Sequence, residues 1–259
     1  MRLKFFISCA VLAALTSGAL AQTATNTTTS ATATNSILAP PPPSPWDASL
    51  ALGATITRGN SKTLLAVGTF LADKKWDQQK NELSLGADAT YGENDGDKNA
   101  DSQHAFSQYN RLFTDRAFGY LRLEGWRDTV ADIDYRLSIS PGAGYYFIKE
   151  TNTTLRGEIG PGYIYEQQKK GHESYFTLRA ADRFEHQINK NAKIWESAEI
   201  LPQVDKFQNF IINAEIGIET VLTAKAGLRL IAQDSYHSEP ASGREKNDFK
   251  LIASIRYKF

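Results

Sequence analysis

Few residues of this chain could do acid–base chemistry, and one group of them lies near the C-terminus. Asp234, Ser235 and His237 are close in sequence, and a serine beside a histidine and a carboxylate is the arrangement of nucleophilic catalysis. A two-residue spacing is weak evidence, because catalytic groups are recognised by geometry. The chain has no Gly-x-Ser-x-Gly motif and no His and Glu cluster with metal-ligand spacing. We therefore expect no enzyme activity, no metal and no cofactor.

A second set of chemical groups is larger and more regular. Arginine and glutamate recur two residues apart, as in Arg122 and Glu124, or Arg156 and Glu158. The whole set is Arg122, Glu124, Arg136, Arg156, Glu158, Arg179, Arg183, Glu185, Glu215, Glu219, Arg229 and Arg256. Side chains two residues apart share one face of a β-strand, so these charges are predicted to form a ladder along one face of a sheet.

The elements that carry these charges have a strand period throughout. From Arg136 to Phe147 apolar residues alternate with small or polar ones, and 155–166, 210–219 and 226–233 repeat the pattern. Strict alternation indicates strands with one apolar and one polar face. About twelve strands fit, and ten or fourteen also fit. The predicted spans are 46–58, 62–73, 80–92, 102–113, 117–129, 135–148, 153–166, 173–187, 192–204, 208–221, 224–238 and 246–259.

The front of the chain has a different composition. A basic start, a short apolar run and the small residues before Gln22 are typical of a cleaved secretory signal over 1–21. Residues 22–45 form a Thr-, Ala- and Pro-rich leader, predicted to be a flexible linker on the periplasmic side. The chain's one cysteine, Cys9, leaves with the signal, so a small disulfide-stapled module is excluded. The predicted domain is 46–259.

The connections and the aromatic residues indicate a membrane. Tight turns such as 113–116 alternate with longer polar stretches at 92–99, 129–134, 167–171 and 238–246, as short periplasmic turns and longer outer loops do. Acidic residues of the first long stretch could bind calcium, but a solvated loop is the simpler interpretation. Aromatic residues cluster near strand ends on the apolar face, as at membrane interfaces.

The last strand explains why the chain stops on an aromatic residue. Phe249, Leu251, Ile255, Tyr257 and Phe259 occupy one face of it. In lipid, strands can cross only as a closed sheet, so this strand must pair with the first. The alternating face ending in Phe259 is typical of the signal read by the outer-membrane barrel assembly machinery. We therefore predict an all-β, antiparallel, up-and-down transmembrane barrel, integral to the bacterial outer membrane.

Five stretches of the chain resemble one family in their order. They lie at 57–63 (TRGNSKT), 131–137 (ADIDYRL), 157–163 (GEIGPGY), 214–219 (AEIGIE) and 246–259. The chain resembles the salt-induced outer-membrane proteins, also known as the YdiY-like domain of unknown function, from Trp46 to Phe259. The resemblance implies an outer-membrane barrel and carries no activity or catalytic residue.

The partners and the function follow from the two faces. The apolar face would meet outer-membrane lipid and lipopolysaccharide, and the charge ladder would line the lumen. With 29 basic and 29 acidic residues, the balanced charge gives no indication of nucleic acid binding. The ladder is consistent with a passive or weakly selective channel for small solutes. The alternative is an Arg–Glu network that plugs the lumen of a structural or stress-response envelope protein.

Overall fold

A computed structural model describes residues 46–57, 63–169, 171–240 and 245–259. These residues form twelve β-strands. They are Asp47–Thr57 (β1), Thr63–Trp76 (β2), Asn81–Asn94 (β3), Asp97–Leu112 (β4), Ala117–Asp128 (β5), Ile133–Lys149 (β6), Thr153–Gln168 (β7), Gly171–Asn189 (β8), Ala192–Gln203 (β9), Lys206–Val221 (β10), Ala226–His237 (β11) and Asn247–Lys258 (β12). The predicted strand order is confirmed, and most predicted ends lie within three residues of the observed ones.

The strands form one closed sheet. Each strand pairs antiparallel with the next, and β12 returns to pair with β1, so the predicted up-and-down barrel of twelve strands is confirmed. The start of β1, the end of β12 and the turns after the other even-numbered strands lie at one end, which we call the turn end. The odd-numbered strands finish at the opposite end, which we call the loop end. The described residues contain no helix long and apolar enough to cross a bilayer.

Alternation along each strand separates a lumen face from an outer face. In β6 the outer side chains Leu137 and Ile139 are exposed, whereas Ser138 and Ser140 between them are buried. The parity of a position therefore fixes its face, because side chains of a strand alternate. Outer residues are mostly aliphatic or aromatic and lumen residues are mostly polar, as a barrel in lipid requires.

Aromatic side chains pair on the outer face. Tyr257 packs edge-to-face on Phe259 at 5.4 Å, and Tyr145 packs on Phe147 at 5.5 Å, both at the turn end. At the loop end Tyr135 stacks on Tyr165 at 5.9 Å. The two levels correspond to the aromatic girdles that flank the apolar band of membrane barrels.

The predicted alternation of short turns with long outer loops is wrong in two places. The stretch 92–99 is not a loop, since β3 runs to Asn94 and β4 begins at Asp97. The stretch 167–171 is mostly strand as well, because β7 runs to Gln168 and β8 starts at Gly171. These strand ends extend beyond the apolar band of the barrel, so their outer face is not apolar. The alternation of apolar and polar residues from which strands are predicted is therefore absent there.

The acidic residues of the predicted first loop lie in a tight turn and in strand β4. Asp95 lies in a two-residue turn with a left-handed backbone (φ 52°), followed by Gly96 (φ 94°). Asp101 lies within β4 and accepts a hydrogen bond from Lys98 Nζ at 2.7 Å. No group of three or more acidic, His or Cys side chains in the described part of the chain could hold a metal ion.

The C-terminal strand lies where the sequence predicted it. Phe259 N–H donates to the Ala48 carbonyl at 3.1 Å, and Lys258 Nζ pairs with Asp47 at 2.7 Å. The five residues of the predicted assembly signal, Phe249, Leu251, Ile255, Tyr257 and Phe259, are all exposed on the outer face. Their recognition by assembly machinery stays a prediction. The signal 1–21, the linker 22–45 and positions 58–62 of the first family stretch lie outside the described residues.

Inside the barrel, large aromatic rings lie flat against glycines of the neighbouring strand. Trp195 of β9 covers Gly217 of β10, and Phe118 of β5 covers Gly144 of β6. Both rings are almost fully buried. A Cβ at either glycine would overlap the ring, so the absent side chain is what lets the ring fit the wall.

The Trp195–Gly217 contact gives a testable prediction. Gly217→Ala forces the buried indole off the wall, and such overpacking costs about 1–3 kcal/mol of folding free energy. We expect a lower urea midpoint, measured by the heat-sensitive gel mobility of the folded barrel. Gly68→Ala is the matched control, because its Cβ would meet only Leu52 at an ordinary 3.6 Å. Equal midpoints for the two variants would contradict the proposed fit.

Candidate functional site: the barrel lumen

All twelve residues of the predicted charge ladder occupy lumen positions. The strand registers place Arg122 beside Gln108, Arg136 beside Glu166 and Arg156 beside Arg183, each on the inner face. Arg229 of β11 lies beside Glu219 of β10, also on the inner face. The predicted face is therefore the observed face. The prediction that the ladder selects solutes is a separate matter, which depends on how these charges pair.

A group of polar side chains between the two ends of the lumen, which we call the central belt, consists of Gln108, Glu158, Arg179 and Glu199. The Glu158 carboxylate accepts from Gln108 Nε2 at 2.8 Å and from Arg179 Nη1 at 2.8 Å. Arg179 Nε donates to Glu199 at 2.9 Å. The side chains of Glu158 and Arg179 are about 5% exposed. The belt is thus a fully bonded, nearly dry cluster.

The central belt joins strands that are not neighbours in the barrel wall. Gln108 lies on β4 and Glu158 on β7, and β5 and β6 separate the two strands. The lumen positions of β6 at this level are Ser140 and Gly142, and the ring of Tyr120 lies over Gly142. A hydrogen bond between strands that are not neighbours narrows the lumen, because no wall residue lies between the two partners.

Two further bonds cross the lumen at other levels. Tyr146 of β6 donates from its hydroxyl to Glu82 of β3 at 2.8 Å. Lys250 of β12 donates to the hydroxyl of Ser102 of β4 at 3.1 Å. The lumen is therefore bridged on both sides of the central belt.

Ion pairs along the wall involve the rest of the ladder except Glu215, whose carboxylate accepts from Trp195 Nε1 at 2.6 Å and Gln233 Nε2 at 2.8 Å. Glu219 bridges two arginines: it accepts from Arg229 Nη2 at 2.7 Å and pairs with Arg256 on the next strand. Arg136 pairs with Glu166, and Arg122 pairs with Glu124. Burying such charges is favourable only if each finds a partner, which explains why both signs alternate around the lumen.

The charge pairs at the turn end are more open to water. Arg183 Nε donates to Glu185 at 2.6 Å, and Lys193 Nζ lies 3.9 Å from the same carboxylate. The three side chains are 34–36% exposed, compared with about 5% for Glu158 and Arg179. The charge pairs of β8 and β9 at this end are thus less buried than the central belt.

The sequence prediction did not include several residues that complete the network. Glu166 and Glu82 follow the strand parity and could have been added from it. Glu199 lies on β9, where the alternation of apolar and polar residues is weak. Its pairing with Arg179 depends on the register between β8 and β9, which the sequence of neither strand gives. Gln108 is uncharged, so a search for charges does not find it. His104 Nδ1, 2.9 Å from Asp88, is a further lumen group outside the predicted set.

The possible catalytic group near the C-terminus is not assembled. Ser235 Oγ donates to Asn213 Oδ1 at 2.8 Å and lies 3.4 Å from His237 Nε2. Asp234 occupies the opposite, outer face of β11 and accepts from Asn247 at 2.8 Å. His237 therefore has no carboxylate from this group to orient it, as a catalytic triad requires.

The fold and the lumen define a class. A closed antiparallel barrel with an apolar, aromatic-girdled outer face and a charged lumen is the architecture of outer-membrane β-barrel proteins. Residues 50–259 match the family described as protein of unknown function, DUF481. The chain belongs to this family, which confirms the resemblance seen in the sequence.

The barrel is similar to solved structures of a porin, a channel and a translocator domain. The NanC porin superposes with a TM-score of 0.52 and 7% identity, covering 82% of this chain and all of the porin. An outer-membrane channel from Pseudomonas putida F1 gives 0.50 and 9% identity, covering 85% of this chain and 97% of the channel. The translocator domain of the autotransporter NalP from Neisseria meningitidis gives 0.45 and 13%, covering 83% and 87%. No protein of curated function matches the chain in sequence.

The double pairing of Glu219 gives a second prediction. Glu219→Gln leaves two buried arginines without a carboxylate, and breaking a buried pair costs about 3–5 kcal/mol. We expect a large fall in the urea midpoint of the refolded barrel. Glu185→Gln removes a pair at the open turn end and should cost less than about 1 kcal/mol. If both variants lose the same stability, burial does not control the strength of the network.

Proposed function

We propose that the protein is an integral outer-membrane channel of small bore for small polar solutes, with the central belt as its narrowest part. The observation that carries the proposal is the contrast in exposure along the lumen. On the side of β8, Arg179 and its partner Glu158 are buried, whereas Arg183 and Glu185 nearer the turn end reach water. A narrow polar constriction between wider entrances is how a passive pore limits solute size.

The loop end also carries a polar cavity. It has a volume of about 390 Å³ and is lined by β8, β9, β10 and Glu239. Its lining residues are Glu173, Ser174, Tyr175, Gln203, Lys206, Asn209 and Glu239. Both ends of the barrel therefore carry polar groups of both signs. This supports entry of small polar solutes from either side.

The pairing in the central belt favours weak ion selectivity. Arg179 is shared by Glu158 and Glu199, and Arg156 Nε lies 3.3 Å from Glu158. Opposite charges at such distances cancel most of each other's field beyond a few ångströms. The arginines thus do not present free positive charge to a passing anion, and a weakly selective pore fits better than an anion-selective one.

The second candidate function is a structural envelope barrel without transport. The bonds from Gln108 to Glu158 and from Tyr146 to Glu82 favour it, because both join strands three positions apart. If these bonds persist in the membrane, the lumen is plugged. The two functions differ in one measurable property, the ion current through a folded barrel.

Single-channel conductance of the refolded protein in planar bilayers tests the proposal. We expect a small, steady current in the unaltered protein. Arg179→Ala removes the centre of the belt and should raise the conductance severalfold. It also leaves Glu158 and Glu199 without their arginine, so the reversal potential in a salt gradient should shift toward cation selectivity.

Arg183→Ala is the matched control, since it removes an arginine from the open turn end. Its conductance should stay close to that of the unaltered protein. Heat-sensitive gel mobility shows that each barrel is folded. A folded barrel that carries no current would contradict the channel and favour the structural alternative. Equal currents in Arg179→Ala and Arg183→Ala would show that the belt is not the constriction.

A further inference from the structure

Two carboxyl groups lie on the outer face of the barrel, away from the charge network of the lumen. Asp182 of β8 and Glu196 of β9 are outer residues, because their neighbours Arg183 and Trp195 face the lumen and side chains of a strand alternate. Asp182 is exposed and Glu196 is half-buried. Ionisable side chains on membrane-spanning elements are rare and mark functional sites, so these two residues require a physical explanation.

The two carboxyl groups contact each other and have no cationic partner in the barrel wall. Asp182 and Glu196 lie within hydrogen-bonding distance of each other. Arg183, the nearest arginine in sequence, donates to Glu185 in the lumen at 2.6 Å, and His186 on the outer face is bonded to a threonine of β7. Among the described strands, no basic side chain forms an ion pair with either carboxyl group. Like charges in contact repel each other, so a cation from outside the chain is favourable here.

The two carboxyl groups lie at the level of the aromatic girdle of the turn end. Strand register places four outer residues of β6, β7, β8 and β9 in one row, namely Tyr145, Gly157, Asp182 and Ala198. Glu196 lies one row nearer the turn end, opposite Phe184. Because aromatic girdles mark the level of the lipid head groups, Asp182 and Glu196 lie at head-group depth.

A hollow in the outer wall begins at the row of Asp182 and continues toward the middle of the bilayer. Its volume is about 650 Å³, and Asp182 is among its lining residues. Ile159, Ala180 and Ile200 line it one row further from the turn end than Asp182. Its small lining residues are Ala143, Gly157, Ala180 and Ala198. The hollow is therefore apolar, with the carboxyl groups at its head-group end.

We propose that this hollow binds one phospholipid with an ammonium head group, such as phosphatidylethanolamine. The ammonium group lies between Asp182 and Glu196 and donates hydrogen bonds to both carboxylates, which are stronger than bonds between neutral groups. One acyl chain lies in the hollow along Ala180 and Ile200, where burial of apolar area is favourable.

An ammonium phospholipid fits the site because its two parts are arranged as the site is. The cation is at head-group depth, and the hydrocarbon attached to it points toward the middle of the bilayer. Phosphatidylglycerol has the same hydrocarbon, but its head group has a negative charge and no cation, so the carboxylates repel it. The site goes beyond the proposed channel, because it lies on the outer face of the wall and not in the lumen.

Native mass spectrometry of the refolded full chain tests the proposal. The protein is kept in detergent with EDTA and titrated with phosphatidylethanolamine or with phosphatidylglycerol of the same acyl chains. We expect one phosphatidylethanolamine per chain to be retained at about tenfold lower lipid concentration than phosphatidylglycerol, because charge-assisted hydrogen bonds distinguish the two head groups. Equal retention of the two lipids would overturn the proposal.

Removing the two charges should remove this preference. Asp182→Asn with Glu196→Gln keeps the shape of both side chains, so phosphatidylethanolamine should be retained no better than phosphatidylglycerol. Asp234→Asn is the matched control, because Asp234 is an outer carboxyl of β11 that already has a partner in Asn247. It should keep the preference of the unaltered protein. A preference that survives the double substitution would refute the site.

Filling the hollow tests the acyl-chain half of the site and leaves both carboxyl groups in place. Ala180→Phe puts a ring into the hollow and should abolish the retention of a single phosphatidylethanolamine. Ala232→Phe adds the same ring to the outer face of β11, outside the hollow, and should leave retention unchanged. If both variants retain the lipid equally, the hollow does not hold the chain and the proposal is wrong.

The same spectra distinguish the other possible occupants. Lipid retention that appears only when calcium replaces EDTA would show that the carboxyl groups bind a metal ion and not an ammonium group. A dimer that dissociates on the double substitution would show that a second copy covers the hollow. Either result would overturn the lipid site. Heat-sensitive gel mobility shows that each variant is folded, and the ion current of the double variant should equal that of the unaltered protein. Failure of the lipid site and failure of the channel are thus distinguished.

Discussion

The structure depends on one constraint, which is that every backbone N–H and C=O within lipid must find a partner in the chain. A sheet meets it only by closing, and closure gives each strand a lipid side and a lumen side. The side of a residue is then decided by the parity of its position, as Leu137 and Ser138 show. A slip of one residue would place Arg136 in lipid, so the alternation also fixes the register of β5, β6 and β7.

Closure has a second consequence, inside the barrel. Charges that must avoid lipid are gathered into a lumen of limited width, where they meet one another across it. Glu158 is bonded to residues of β4 and β8, and Glu219 to residues of β11 and β12. Such pairs add little net stability, but breaking one is costly. The network therefore specifies the lumen shape more than it stabilises the fold.

The sequence predicted which face of a strand each side chain occupies, but it did not predict which side chains pair with one another inside the barrel. The strands, their order and the inner position of all twelve ladder charges follow from alternation within single strands. The pairing of Arg179 with Glu199, or of Gln108 with Glu158, depends on register and barrel width, which no local pattern records. The sequence predicts a loop at 92–99, where the structure has strand ends, because outside the apolar band nothing requires an apolar outer face.

The pairing of β1 with β12 shows where the same constraint is met least completely. Every other pair of neighbouring strands is consecutive in sequence, whereas β1 and β12 are the first and the last strand of the barrel. Their contact depends on four paired positions, the Lys258–Asp47 ion pair and the hydrogen bond from Phe259 to Ala48, all at the turn end. Closure of the sheet, on which the lumen and its charge network depend, therefore rests on fewer paired positions than any other strand pair of the described residues has.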